Sequence, residues 1–220
     1  EYLLEGEPTI SPSMGIFLPE TYRMHPDICR LISDQVYNSR LNSAEVTNRH
    51  IVKVPKEILP IRHGIHFIPV THEGNNQGSE EEVEIIKNLA LKLINIPYWP
   101  IDKGGEQRLI KWSDILFVAP YNYQVNLLKA ALNPDAKVGS VDKFQGQEAP
   151  IVFLSMCASD ASESPRGIEF LFSKNRLNVA ISRAQSLVIV VGSPFLANTS
   201  VNNLHQMELV NFYSEIINFR

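Results

Sequence analysis

Compact apolar runs alternate along this chain with segments whose apolar positions recur every three or four residues. Ile65–Val70, Asp114–Ala119, Val138–Val141, Ile151–Met156 and Leu187–Val191 are short and rich in β-branched residues. Such runs predict strands buried on both faces, as in a parallel sheet. Helical stretches lie between them. Pro26 can open a helix at its first position, with Ile28, Leu31, Ile32, Gln35 and Val36 at helical spacing. Ser79 followed by Glu82 predicts a capping box, and Val83, Ile86, Leu89, Ala90 and Leu93 form the core stripe of a helix ending near Ile96. Tyr121–Leu132 and Ser173–Ala184 read as further helices, and Val201–Phe219 as an amphipathic segment suited to packing on the flank. Residues 1–20 carry prolines and little periodicity and read as an irregular entry segment; 38–62 reads as a mixed loop, and Pro97–Gln107 as a loop tolerant of insertion. Strands alternating with helices predict an α/β fold, a mostly parallel doubly wound sheet with right-handed crossovers.

Composition narrows this picture a little. The chain has 220 residues and no initiator methionine, so it is expected to begin inside a longer protein. Apolar content of 44% and charged content of 20% suit a globular domain that needs no disulfide staples. Cys29 and Cys157 both sit among apolar neighbours, which predicts reduced, buried thiols and a cytoplasmic protein. No stretch approaches the length of a membrane span, so no membrane partner is expected. A net charge of −4 argues against indiscriminate coating of nucleic acid but leaves room for a local basic groove.

The candidate chemistry lies in polar segments between the apolar runs. They are Thr21-Tyr-Arg-Met-His-Pro26, Ser140-Val-Asp-Lys-Phe-Gln-Gly-Gln-Glu148 and Arg176-Leu-Asn-Val-Ala-Ile-Ser-Arg-Ala184. The last two are expected where a strand turns into a helix or a core helix begins, edges that grip phosphate and ribose. Arg23 brings a permanently charged, forked donor to a helix start; a surface ion pair is its plain alternative. Tyr22 and Met24 beside it read as packing, and His25 as a structural hydrogen-bonder. Gly146 permits a tight turn or close backbone approach. Glu148 can accept hydrogen bonds from ribose hydroxyls. Asp142 is fully explained as the N-cap of an ordinary helix. Lys143 is equally a groove cation or a solvated side chain. Leu177, Val179, Ala180 and Ile181 read as core, and Arg176 as a structural cation. In Ala119-Pro-Tyr-Asn-Tyr-Gln124, Tyr121 and Asn122 share a helix start that could bind a backbone phosphate, with an aromatic to stack on a base. A tyrosine that merely caps the core is the rival reading. His63, His66 and His72 follow no zinc spacing and read as exposed alternates of a strand, so no metal site is expected.

These ordered motifs, running from Gly15-Ile-Phe-Leu-Pro-Glu-Thr-Tyr-Arg-Met-His-Pro26 to Ser173-Lys-Asn-Arg-Leu-Asn-Val-Ala-Ile-Ser-Arg-Ala184, cover nearly the whole chain. They resemble the second RecA-like domain of superfamily-1B helicases, in the branch of the nonsense-mediated-decay helicase and the replication nuclease-helicase. The similarity extends to bacterial members often fused to a RecB-like nuclease. The resemblance implies that Arg23 and Arg183 act on the γ-phosphate, Arg183 as an arginine finger. It implies that Gly146, Gln147 and Glu148 serve ATP, and that Pro120, Tyr121, Asn122, Ser140, Val141 and Lys143 meet the nucleic acid. It also implies residues 21–200 as the RecA-like domain and 201–220 as a helical extension. The sequence contains no GxxxxGK[ST] phosphate loop and no acidic pair closing an apolar strand. In the family both sit on a preceding RecA-like domain, which would hold Mg2+ mainly by itself. Single-stranded DNA or RNA, that preceding domain and a possible nuclease domain are the implied partners, with 5′ to 3′ movement. The alternatives are a non-catalytic module that binds nucleic acid or protein, and an auxiliary domain of a nuclease.

Overall fold

The computed structural model of the chain describes residue 11 and residues 14–99 and 106–219. Most of the expected entry segment, and the middle of the expected insertion loop, lie outside the described residues. In chain order the first elements are β1 (Glu20–Thr21), α1 (Pro26–Val36), β2 (Asn42–Ser43), β3 (Ile51–Val52), β4 (Gly64–Pro69), α2 (Glu80–Leu93), β5 (Pro97–Trp99) and β6 (Arg108–Leu109). Then come β7 (Ile115–Val118), α3 (Asn122–Ala131), β8 (Lys137–Gly139), β9 (Ala149–Ser155), α4 (Gly167–Leu171), α5 (Lys174–Ile181), β10 (Ala184–Gly192) and α6 (Leu204–Ile217).

The main sheet has five strands in the order β4-β10-β9-β7-β8, all parallel, as the apolar runs predict. Successive side chains of a strand point to opposite faces. Ile115, Phe117, Ile151, Phe153, Leu187, Ile189 and Val191 therefore enter one core, while Leu116, Val118, Val152, Leu154, Val188 and Val190 enter the other. On the first face α2 contributes Val83, Ile86, Leu89, Ala90 and Leu93, and α3 contributes Val125 and Leu128. On the second face α1 contributes Ile28, Leu31 and Ile32, and α5 contributes Leu177, Ala180 and Ile181. Phe212, Tyr213 and Ile216 of α6 belong to that second core. Each Val, Leu, Ile or Phe among them is worth about 1.5–3 kcal/mol of transfer free energy when fully buried. A small antiparallel sheet, β3-β5-β6, and a parallel pair, β1-β2, accompany the main sheet.

Several local expectations are corrected. The capping box at Ser79 is half formed: Ser79 accepts the Glu82 N–H, but the Glu82 carboxylate turns inward, away from the cap. The expected loops at 38–62 and Pro97–Gln107 contain β2, β3 and β5, strands too short to carry a period. Val138–Val141 ends as a strand at Gly139, and Val141–Phe144 is a 3-10 turn. Asp142 lies inside that turn rather than capping a helix, and its carboxylate meets Arg176 at 3.4 Å. Tyr22 is exposed, so it is not a packing residue, whereas Met24 is buried. Val179 is half-buried at the margin of the core, with Asn178 buried beside it.

The largest correction concerns the segment from Ser140 to Glu148. It passes from β8 into a single 3-10 turn, Val141–Phe144, and leads into no α-helix. It leaves the C-terminal end of β8 and enters β9 at its N-terminal end. Pairing aligns Gly139 with Val118 and Val118 with Leu154. At about 3.3 Å per strand residue, Glu148 lies roughly 20 Å from the level of Ser140. The segment thus crosses the sheet and carries one group of candidate residues to each edge.

Candidate nucleotide and nucleic-acid edges

At the N-terminal edge of β9 and β10, residues far apart in sequence converge. Arg23 sits between β1 and α1, held there because the His25 side chain caps α1 by accepting the Asp27 N–H at 3.2 Å. The His25 N–H is donated to the Gln185 carbonyl at 2.8 Å, which fastens the start of α1 to the start of β10. From this position Arg23 Nε donates to Glu148 Oε2 at 2.7 Å, and Nη1 donates to the Ser182 carbonyl at 3.2 Å. Glu148 Oε1 accepts from Gln185 Nε2 at 2.9 Å. Arg183 follows the end of α5 and precedes β10, so it is fixed by a helix terminus and a buried strand. Its Nη1 donates to the Gln147 carbonyl at 3.3 Å. Its Nε is buried and, among the described residues, has no hydrogen-bond partner. Burial, then the neighbouring Arg23 charge, lowers the Arg183 pKa from its ordinary value, and Glu148 partly offsets them. Gly146 has φ +79° with open space around it, so the turn before Glu148 needs glycine for its backbone rather than for clearance.

Two guanidinium groups beside one carboxylate leave this edge with an excess positive charge, suited to a phosphate. The Arg23–Glu148 pair has side-chain exposures of 33% and 45%. Such a pair adds little to stability, about 0–1 kcal/mol. The one carboxylate here is already engaged by Arg23 and Gln185. That is not a donor set for magnesium, which takes several oxygens in near-octahedral array.

The opposite edge holds the other group. Pro120 and Tyr121 lead from β7 into α3, and Ser140 follows β8. Tyr121 is buried, its hydroxyl against Ser164 and its ring against Phe170, so it offers no free face to a base. The core-capping reading of Tyr121 is the one the packing supports. Val141 is buried as well. Lys143 folds back, donating from Nζ to the Val138 carbonyl at 2.8 Å, and its stem fills the space a Cβ at Gly139 would occupy. Asn122 and Tyr123, in the first turn of α3, are exposed. Tyr123, passed over in the sequence because it follows a more conspicuous tyrosine, is the exposed aromatic at this edge.

Sequence reasoning also missed a buried polar network beneath this edge. The side chains of His72 and Glu82 are both fully buried and pair at 2.9 Å. Glu82 also accepts from Ser155 Oγ at 2.6 Å and from the Cys157 N–H at 2.9 and 3.0 Å. Ser159 Oγ meets His72 Nδ1 at 2.7 Å. His72 is therefore no exposed strand alternate. The network holds the chain beyond β9, including Cys157 at φ +52°, a conformation that non-glycine residues rarely adopt. Burial and the nearby Glu82 raise the Cys157 thiol pKa well above its usual value.

His25, Asp27 and His63 bring three ligand atoms within 4.8 Å of one another. The imidazoles stack with centroids 4.0 Å apart and planes at 22°, so their in-plane lone pairs run side by side rather than converge. His25 Nδ1 already accepts the Asp27 N–H, and His63 Nδ1 pairs with Asp27 Oδ2 at 2.7 Å. The trio reads as a hydrogen-bonded helix cap rather than a metal cage.

Comparison with known proteins adds to this geometry. Residues 3–194 match the family described as AAA domain. The chain is 28% identical over 210 residues to the DNA-binding protein SMUBP-2 of Rattus norvegicus, across 88% of this chain and 19% of that protein. It is 32% identical over 190 residues to helicase sen1 of Schizosaccharomyces pombe, across 78% of this chain and 10% of that protein. It is 28% identical over 211 residues to the DNA polymerase alpha-associated DNA helicase A of the same yeast, across 90% of this chain and 31% of that protein. The chain thus spans less than a third of the length of these curated relatives.

Proposed function

We propose, from the premise that the chain belongs to this AAA domain family and is a superfamily-1 helicase domain, that it is the second RecA-like motor domain of an ATP-dependent helicase or translocase. The observation that carries the reading is the convergence of Arg23, Glu148 and Arg183 at one sheet edge, with a buried Arg183 Nε that lacks a partner among the described residues. ATP lies in the cleft between this edge and a preceding RecA-like domain. Glu148 accepts from the ribose, Gln147 and Gly146 shape the approach, and Arg23 and Arg183 reach the γ-phosphate. Magnesium and the phosphate cradle belong to that preceding domain, since the donors here do not suit the ion. Magnesium supplies charge neutralisation of the phosphates when bound.

A single strand lies along the opposite edge, contacted by backbone amides near Pro120, Asn122 and Ser140. Relatives named as a DNA-binding protein and a DNA helicase make single-stranded DNA the first substrate to test. Within this reading, residues 1–20 are an entry segment, 21–200 the motor domain, and 201–220 a helical segment that shares its core. The setting is cytoplasmic, and a nuclease domain elsewhere in the protein is compatible with it.

The test is Arg183→Ala in the full-length protein. A finger acts on transition-state charge more than on ground-state binding. Nucleic-acid-stimulated turnover is expected to fall on the order of 10²–10⁴-fold, with ATP binding largely kept. Arg183→Lys restores little, because an ammonium lacks the planar fork. Arg23→Ala behaves similarly, with a greater loss of ATP affinity. Wild-type turnover in Arg183→Ala would mean that this arginine is structural.

A further inference from the structure

We propose that Gln185 and Tyr98 are positioning residues for the nucleotide, acting through Glu148, so that the small β3-β5-β6 sheet is wired to the nucleotide edge. The inference rests on the reading of Glu148 as a ribose acceptor. Gln185 lies at the start of β10, where the pairing with β9 is irregular between Ala184 and Leu187. That irregularity releases its side chain from the regular alternation and lets it bridge two partners. Gln185 Nε2 donates to Glu148 Oε1 at 2.9 Å, and Gln185 Oε1 accepts from the Tyr98 hydroxyl at 2.8 Å. Tyr98, on β5, is fully buried, and its oxygen lies 2.7 Å from Nδ1 of the buried His50.

The polarity of this chain follows from proton counting. A tyrosine hydroxyl has one proton, and it goes to Gln185 Oε1, so His50 must donate from Nδ1. With its carbonyl oxygen occupied, the Gln185 amide can turn just one end to Glu148, the NH2. A flipped amide would set a carbonyl oxygen against a carboxylate oxygen. The acceptor-only carboxylate of Glu148 selects this orientation, and Tyr98, donating to the far end of the amide, holds it there. Arg23 holds the other carboxylate oxygen at 2.7 Å. Gripped on both oxygens, the carboxylate plane is fixed, and its remaining lone pairs have a defined direction for ribose hydroxyls. Arg23 alone would leave the carboxylate free to swing about one contact.

The experiment uses the full-length protein and compares ATP with 2′-deoxy-ATP. Tyr98→Phe keeps the ring and removes the hydroxyl; thermal melting checks that the fold is kept. One neutral hydrogen bond sets the scale: the KM for ATP is expected to rise about 3- to 10-fold, with kcat changed less than about twofold. The preference for ATP over the deoxy form is expected to narrow, a readout that a merely structural role would leave alone. Gln185→Glu, which sets a second carboxylate against Glu148, is expected to raise KM further. Gln185→Lys supplies a donor that needs no orientation by Tyr98. In the Tyr98→Phe background it is expected to return KM to within about twofold of wild type. If Glu148→Ala raises KM while Tyr98→Phe and Gln185→Glu leave KM and the sugar preference unchanged, the inference is overturned and the proposed function stands. A fall in kcat at constant KM overturns it too. If Glu148→Ala itself leaves KM unchanged, the reading of Glu148 fails and the positioning role fails with it.

Discussion

A buried guanidinium nitrogen without a partner is costly, about 1–3 kcal/mol for an unmet donor and more on a charged group. Arg183 tolerates that at Nε among the described residues while Arg23 adds a second positive charge nearby. An arginine serving stability alone would be expected to meet a carboxylate, which is why its placement favours an anionic ligand. His25 shows the reverse economy. Burial first, and then the His63 charge, push its pKa down to about 4 from 6.5, with Asp27 opposing and His50 adding a little to the fall. The unfolded chain therefore takes up this proton first as pH drops. The contribution of neutral His25 is full above about pH 6.5 and is lost as pH falls toward about 4, on the order of 3 kcal/mol. In urea unfolding at pH 7 and pH 5, His25→Asn, which keeps a capping acceptor, is expected to lose less stability on acidification than wild type. Equal losses would remove His25 from the account. At this scale the arginines and Glu148 were legible, because ordered motifs announce them. Gln185 was not, since its partners Tyr98 and Glu148 lie 87 and 37 residues away. The burial of Tyr121 was also hidden, because an aromatic at a helix start looks the same whether it faces solvent or Ser164.

Helix α2 shows how a correct element can conceal a wrong detail. Its core stripe and its Ser79 cap were readable from spacing. The acidic residue expected to complete the box is instead the hub of a buried network. A carboxylate accepting from His72, Ser155 and Cys157 stabilises the edge of β9 in a way that no window of nearby sequence displays. Glu82→Ala is expected to cost about 3–5 kcal/mol in urea unfolding, because it strands several buried donors at once. A loss below about 1 kcal/mol would show that the network relaxes at little cost. The strands divide along the same line. β7, β9 and β10 are buried on both faces and stand out as apolar runs. β2, β3, β5 and β6 are two or three residues long and acquire their pairing from tertiary contacts alone.

Across the whole molecule, the sheet separates the two candidate edges, and the segment from Ser140 to Glu148 joins them. On the proposed function, a shift of this segment at the nucleotide edge would pass to the nucleic-acid edge through Phe144 and Val141, both buried in the core. Coupling through a packed segment needs two defined positions, and a single domain sets only one side of the nucleotide. The core of this chain is complete on both sheet faces, so the 220-residue chain is expected to fold by itself. Its edge offers two arginines and a carboxylate, but the sequence holds no phosphate loop and Glu148 is already engaged. Transition-state stabilisation by a finger requires a phosphate held in line by other groups. The purified chain is therefore expected to show a cooperative melt together with ATP turnover at least about 100-fold below that of the full-length protein. Mixing it with a separately purified preceding domain, if the two associate, is expected to recover part of that turnover, and Arg183→Ala in the added chain to abolish the recovery. Turnover by the chain alone at the full-length rate would place the whole catalytic apparatus here and overturn the division of labour between two domains.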